Sequence, residues 1–143
     1  MTNPRKDAGT RAESSVVRWL HAHGYPDARR QVLAGSKDKG DLWVTLGVIA
    51  EVKTRNTAAG LGQPGEAELA KWMAETEAER VNAKAAHAVL IVKRKGTADP
   101  GRWWAYVPAN ELANQVACLD PTNAPISMDL ATWVRLMRAG AFE

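Results

Sequence analysis

Two hydrophobic periods alternate along the chain, and the places where one gives way to the other mark its elements. From Thr10 to His23, Ala12, Val16, Val17, Trp19 and Leu20 recur at helical spacing opposite Arg11, Ser14, Ser15, Arg18 and His21, which predicts an amphipathic helix ending at Gly24. Tyr25 to Leu33 reads as an irregular edge strand and 34–39 as a loop. Asp41–Leu46 and Val48–Lys53 are rich in β-branched and aromatic residues around Gly47 and predict a tight hairpin. With Thr45, Leu46 and Gly47 as a three-residue loop, Val44 pairs with Val48 and Asp41 lies opposite Glu51. A glycine-rich connection, 54–65, leads to a long helix from Glu66 to Ala86, whose stripe is Leu69, Trp72, Met73, Thr76, Arg80 and Ala83. His87–Lys93 is a buried strand and Arg102–Pro108 its hairpin partner, with Trp103, Ala105 and Val107 facing one way and Trp104 and Tyr106 the other. Leu130, Trp133, Val134 and Met137 give a C-terminal helix its apolar face. Strand, helix and strand in this order imply a parallel crossover, so the expected class is α/β: a central mixed β-sheet flanked by helices.

Charge interrupts this pattern at one place. Asp41, Glu51 and Lys53 sit within the apolar hairpin, and period-2 alternation projects all three from one side of the sheet. Acid-x-base triplets on strands are usually solvated pairs. Here Val48-Ile49-Ala50 reads as a strand covered on both faces, where an unpaired charge is costly. Two carboxylates, with the Val52 carbonyl between Glu51 and Lys53, are oxygen ligands suited to Mg²⁺, with Mn²⁺ as a substitute, and they point to metal-assisted phosphodiester hydrolysis. Lys53 would orient water and offset charge in the transition state.

Gly40-Asp41 followed by Glu51-Val52-Lys53 resembles the core of the PD-(D/E)XK nuclease superfamily, with Gly where the family name has Pro. More narrowly, Gly9-Thr10-Arg11-Ala12-Glu13, Arg30, Gly35-Ser36, Gly40-Asp41 and Glu51-Val52-Lys53 resemble, in order, the elements of the archaeal-type Holliday junction resolvases and their phage relatives. The resemblance implies a restriction-endonuclease-like fold, an active-site role for Glu13 beside Asp41, Glu51 and Lys53, and action as a homodimer on DNA. The residues themselves leave Glu13 two roles, because Thr10-x-x-Glu13 is also a capping box at a helix start. Ser36 either contacts phosphate or bonds its own backbone in a turn. Arg80 either faces the site or snorkels at the rim.

Composition narrows the setting. The 143 residues, 45% of them hydrophobic, suffice for one domain, 1–143, with a substantial core. The absence of an apolar run of about 18 residues and of a signal-peptide stretch gives the expectation of a cytoplasmic protein that makes no use of membranes. A lone cysteine, Cys118, excludes an intrachain disulfide, and His21, His23 and His87 lack metal-ligand spacing. Net charge is only +3, but basic residues gather in Arg5-Lys6, Arg29-Arg30, Lys37-x-Lys39, Lys53-x-Arg55 and Lys93-Arg94-Lys95, largely near the acidic pair. Such clustering attracts a polyanion, and it singles out Arg30, Lys39 and Arg55 as DNA contacts. Six tryptophans in 143 residues is a high number; core packing explains most of them, and a homodimer interface is the natural use for any surplus. The expected function is a Mg²⁺-dependent endodeoxyribonuclease that makes paired symmetric nicks in four-way junctions. Its alternatives are another nuclease of the same type cutting duplex, flap or single-stranded DNA in repair, recombination or restriction, and a DNA-binding module that has lost chemistry.

Overall fold

The computed structural model describes residues 4–32, 38–54, 63–111 and 124–141. The first helix, α1 (Pro4–Ala22), begins earlier than its apolar stripe suggests, with Pro4 at the first position, where the missing N–H costs no hydrogen bond. Thr10 is therefore interior to the helix, and the Thr10–Glu13 capping box does not form. The helix stops as expected: Gly24 takes φ +100°, and the N–H groups of His23 and Tyr25 both donate to the Leu20 carbonyl.

Among the described residues there follow β1 (Arg29–Arg30), β2 (Leu42–Thr45), β3 (Val48–Lys53), α2 (Glu66–Ala83), β4 (His87–Val92), a 3₁₀ turn at Pro100–Arg102, β5 (Trp104–Pro108), a second 3₁₀ turn at Ala109–Glu111, β6 (Pro125–Asp129) and α3 (Leu130–Arg138). The six strands form one mixed sheet in the order β1-β2-β3-β4-β5-β6. Only β3 and β4 are parallel, joined through α2 as expected for a crossover, and every other neighbouring pair is antiparallel. The β2–β3 register runs Leu42 to Ala50 and Trp43 to Ile49, then shifts, so that Thr45 rather than Val44 meets Val48. The turn is thus Leu46-Gly47, two residues rather than three, with Gly47 at φ +77° and a bulge absorbing the extra residue. The outer register survives the error, and Asp41 still falls opposite Glu51, its N–H donating to the Ala50 carbonyl at 3.1 Å. β6 has no counterpart in the expected elements. Among the described residues of the segment read as an irregular strand, only β1, at Arg29–Arg30, is regular.

The two faces of the sheet are buried differently. Leu42, Val44, Val48, Ala50, Val52, Val89, Ile91, Trp103, Ala105 and Val107 pack against Ala12, Val16 and Leu20 of α1 and Leu130, Trp133 and Val134 of α3. Leu90, Val92 and Tyr106 face the other way, onto Trp72 of α2, with Trp104 beside them. The alternation read in β5 is therefore realised. The tryptophans are accounted for within one chain: Trp72, Trp103 and Trp133 are buried, Trp19 packs at the edge of the core, and Trp43 and Trp104 carry the guanidinium groups of Arg29 and Arg94. No helix among the described residues is long and apolar enough to cross a membrane.

Leu20 joins α1 to the larger core with no exposed surface. Leu20→Ala should lower unfolding free energy by about 2–5 kcal/mol, read as a reduced urea midpoint with an unchanged m-value.

Candidate functional site

β3 carries the site because its alternation turns Glu51 and Lys53 toward the α2 face while Ala50 and Val52 fill the opposite core. Asp41, just before β2, is locked to the same place: its Oδ2 accepts the Val52 N–H at 2.9 Å. Gly40 makes this approach possible. It adopts φ +92°, and a Cβ there would stand 3.1 Å from Ile49 Cδ1. Proline, with φ fixed near −65°, cannot take this conformation.

The crossover helix adds what the sequence did not reveal. Glu79 is only 6% exposed and points from α2 to Glu51, within hydrogen-bonding reach of its carboxyl. Neither Glu51 Oε2 nor Glu79 Oε2 meets a donor. The signal for Glu79 was present as the spacing Trp72, Thr76, Glu79, one stripe at helical period and all three buried. On the same helix Arg80, expected either to face the site or to snorkel at the rim, does not reach the acids. Arg80 in fact turns away, bonding both oxygens of Glu77 and the Ala85 carbonyl, beside a separate cleft of about 370 Å³ lined by Met73, Pro108 and Glu111.

Lys53 completes the group, with Nζ 3.6 Å from Glu51 Oε1, 3.1 Å from Glu75 Oε2 and 5.9 Å from the centre of the Trp72 ring. Burial alone would lower its pKa, but Glu51, Glu75 and Asp41 outweigh that and hold the ammonium above its ordinary value. The carboxyls move the other way. Burial, then the hydrogen bond with Glu51 and its charge, pushes Asp41 up to about 7; burial, then Glu79, pushes Glu51 up to about 8. Glu79 is also raised, chiefly by burial.

Glu13 stands at the margin of this set. Its Oε2 accepts from Arg30 Nε at 2.9 Å, and its pKa is raised by burial and by the nearby Asp41 against the lowering effect of Arg30. Thus α1 delivers Glu13 toward Asp41 at the β1–β2 edge, and Arg30 is its ion-pair partner. Lys39 is exposed, and its carbonyl accepts a hydrogen bond from Gln31 Nε2. Asn82 Nδ2 donates to the Asp38 carbonyl and ties that loop to α2. Ser36 and Arg55 lie outside the described residues, as does most of the glycine-rich connection.

Among the described residues, no group of three or more His, Cys, Asp or Glu side chains is placed so that it could hold a metal ion. What is present is Glu51 and Glu79, each with a buried oxygen that lacks a donor, with Asp41 and Lys53 beside Glu51. That donor set fits a hard divalent cation held by one or two carboxylates and completed by solvent and substrate oxygens. No family model, curated protein or solved structure matches this chain.

Two expected outcomes follow from the geometry. Gly40→Ala, forced to a positive φ, should cost about 1–2 kcal/mol, and Gly40→Pro should cost more because it also removes the N–H donated to Asp38 Oδ1; thermal melts of both variants test this. The second concerns pH. Because Asp41 and Glu51 titrate higher in the folded chain than in the unfolded one, the fold holds protons that the unfolded chain has lost between about pH 4 and pH 8, and stability should fall as pH rises through that window. Melting temperature in EDTA should decline from pH 5 to pH 9, less steeply in Glu51→Gln, and Mg²⁺ should restore it most at the alkaline end. A flat profile would contradict the carboxyl cluster.

Proposed function

We propose that this chain is a Mg²⁺-dependent DNA endonuclease of the PD-(D/E)XK type with a restriction-endonuclease-like fold, acting in the cytoplasm as a homodimer that resolves four-way junctions. The observation that carries the reading is the convergence of Asp41, Glu51 and Lys53 on one face of the sheet, with a Glu51 oxygen left without a donor. The resemblance over residues 9–53 supplies the narrower assignment.

Asp41 and Glu51 would hold the cation, with the Val52 carbonyl as a further oxygen; Mn²⁺ is expected to substitute. When bound, the cation polarises a phosphoryl oxygen and lowers the pKa of a coordinated water. Lys53 keeps its proton under the influence of Glu51 and Glu75, so it acts as a fixed positive charge that orients the attacking water and offsets charge growing on the phosphate. Asp41 is positioned by the Val52 N–H, which prevents the carboxylate from swinging away when substrate arrives. Glu79 holds Glu51 from behind. Glu13, paired to Arg30, places a further carboxylate at the substrate edge. Since the described acids and Lys53 all come from one chain, a nuclease of the same type that cuts duplex, flap or single-stranded DNA is the second reading, and the oligomeric state with the cutting pattern separates the two.

Labelled junction, duplex, flap and single-stranded DNA incubated with Mg²⁺ or EDTA provide the test. Cleavage should require the metal. Asp41→Asn, Glu51→Gln and Lys53→Ala should each reduce single-turnover cleavage by about 100-fold or more while DNA binding persists. On a fixed junction the wild type should nick two opposing strands at symmetric positions, matching the two-fold axis of an isologous dimer. Cleavage in EDTA would overturn the mechanism; a monomer cutting linear duplex as fast as junction would remove the resolvase assignment and leave the broader nuclease one.

A further inference from the structure

The sequence offered Arg29 and Arg30 as one basic step, but β1 sends their side chains to opposite faces. Arg30 goes to Glu13. Arg29 pairs across the ladder with Trp43, and its guanidinium lies over the indole, 4.1 Å from the ring centre. Trp43 alternates with Leu42 and Val44, which are buried against α1, so it faces the other way, two positions along the chain from Asp41, which lies just before β2 opposite Glu51. That places Arg29 about 7 Å along the chain direction and one strand spacing of about 5 Å across from Asp41, with Glu51 one strand further on. No carboxylate pairs with Arg29 among the described residues, whereas Arg30 and Arg80 are both neutralised by glutamates. A π-face contact uses none of the five N–H donors of the guanidinium, and the indole removes much of its conformational freedom.

We propose that Arg29, backed by Trp43, is the phosphate-binding position next to the cutting site, where it fixes a phosphodiester of the cleaved strand within one or two nucleotides of the bond at Asp41 and Glu51. The inference rests on the DNA-nuclease reading. It assigns to Arg29 the contact that the sequence assigned to Arg30. A fixed, unneutralised guanidinium suits phosphate because its planar fork matches two phosphate oxygens at once, which an ammonium cannot do. Its place on the face that carries Glu51, rather than on the α1 face, makes it a contact of the reacting strand.

Binding separates this proposal from the chemistry. Fluorescence anisotropy of labelled junction and duplex DNA, titrated with the Asp41→Asn chain in Ca²⁺ over a series of salt concentrations, reads affinity without cleavage. Adding Arg29→Ala should weaken binding about 5- to 10-fold and reduce the salt slope by about 0.9, the value for one lost phosphate contact on duplex. Arg29→Lys should recover the slope but only part of the affinity. Trp43→Leu should weaken binding by itself and add little to Arg29→Ala, because the two act as a unit. Arg18→Ala, on the exposed side of α1, serves as the control for bulk charge and should change affinity less than 2-fold. If Arg29→Ala leaves affinity and slope unchanged while the parent chain binds DNA, the assignment of Arg29 fails and the nuclease reading stands. Equal losses for Arg18→Ala and Arg29→Ala would also overturn it. A parent chain that binds neither DNA sinks the nuclease reading itself.

Discussion

The parallel pairing of β3 with β4 is the constraint from which the rest of the molecule follows. A parallel neighbour cannot be reached by a tight turn, so the chain must cross the sheet, and α2 is that crossing. Its cost is that α2 lies over a strand carrying two charged residues. Glu51 is 5% exposed, and burying a carboxylate beneath a helix is tolerated only with counter-charge, a proton or a cation. Lys53 supplies part of the first, being shared between Glu51 of its own strand and Glu75 of the helix. Yet the helix also brings Glu79, which adds to the negative charge. A cluster with this balance opposes folding in its fully ionised form, and the fold tolerates it because the surrounding sheet is well packed: Leu42, Val44, Ala50, Val89, Leu90 and Ile91 have essentially no exposed surface.

Stability and chemistry are thereby set against each other at one place. Natural folds rarely accumulate buried acids whose oxygens lack donors, and each such group calls for an account. Under the proposed function a hard cation would meet these oxygens, and Asp41, fixed by the Val52 N–H, stands opposite Glu51. A glycine at φ +92° precedes Asp41 because the chain must pass tightly against Ile49 and the Ala50 carbonyl to place the acid opposite Glu51.

The cationic residues sort by what they touch rather than by where they cluster in sequence. Arg30 and Arg80 are bound to glutamates, whereas Arg29 and Arg94 rest on tryptophans. Only the second arrangement leaves the hydrogen-bonding edge of an arginine for something outside the chain. Neighbours in sequence thus play opposite parts: Arg29 is presented outward and Arg30 is consumed within the fold.

Local pattern was enough to determine much of this. Period-2 alternation fixed the faces of β3 and β5, the hairpin placed Asp41 opposite Glu51, and strand-helix-strand order implied the parallel crossover, because each depends on neighbours a few residues apart. A one-residue error at the Leu46-Gly47 turn did no harm, since a bulge absorbed it. What lay beyond the sequence were relations between distant segments. α1 begins at Pro4, about two turns before its first buried residue, Ala12, so the apparent capping box at Thr10 misled. β6 has too weak an alternation to be seen without β5 to pair with. Which stripe of α2 meets the sheet, and hence whether Glu79 or Arg80 faces Glu51, turns on a rotation of about 100° that only the fit of Trp72 against Leu90 and Val92 decides. The sequence alone determined that two acids and a lysine share one face of a sheet; tertiary packing decided which helix covers them, because packing alone brings residues far apart in the chain within reach of one another.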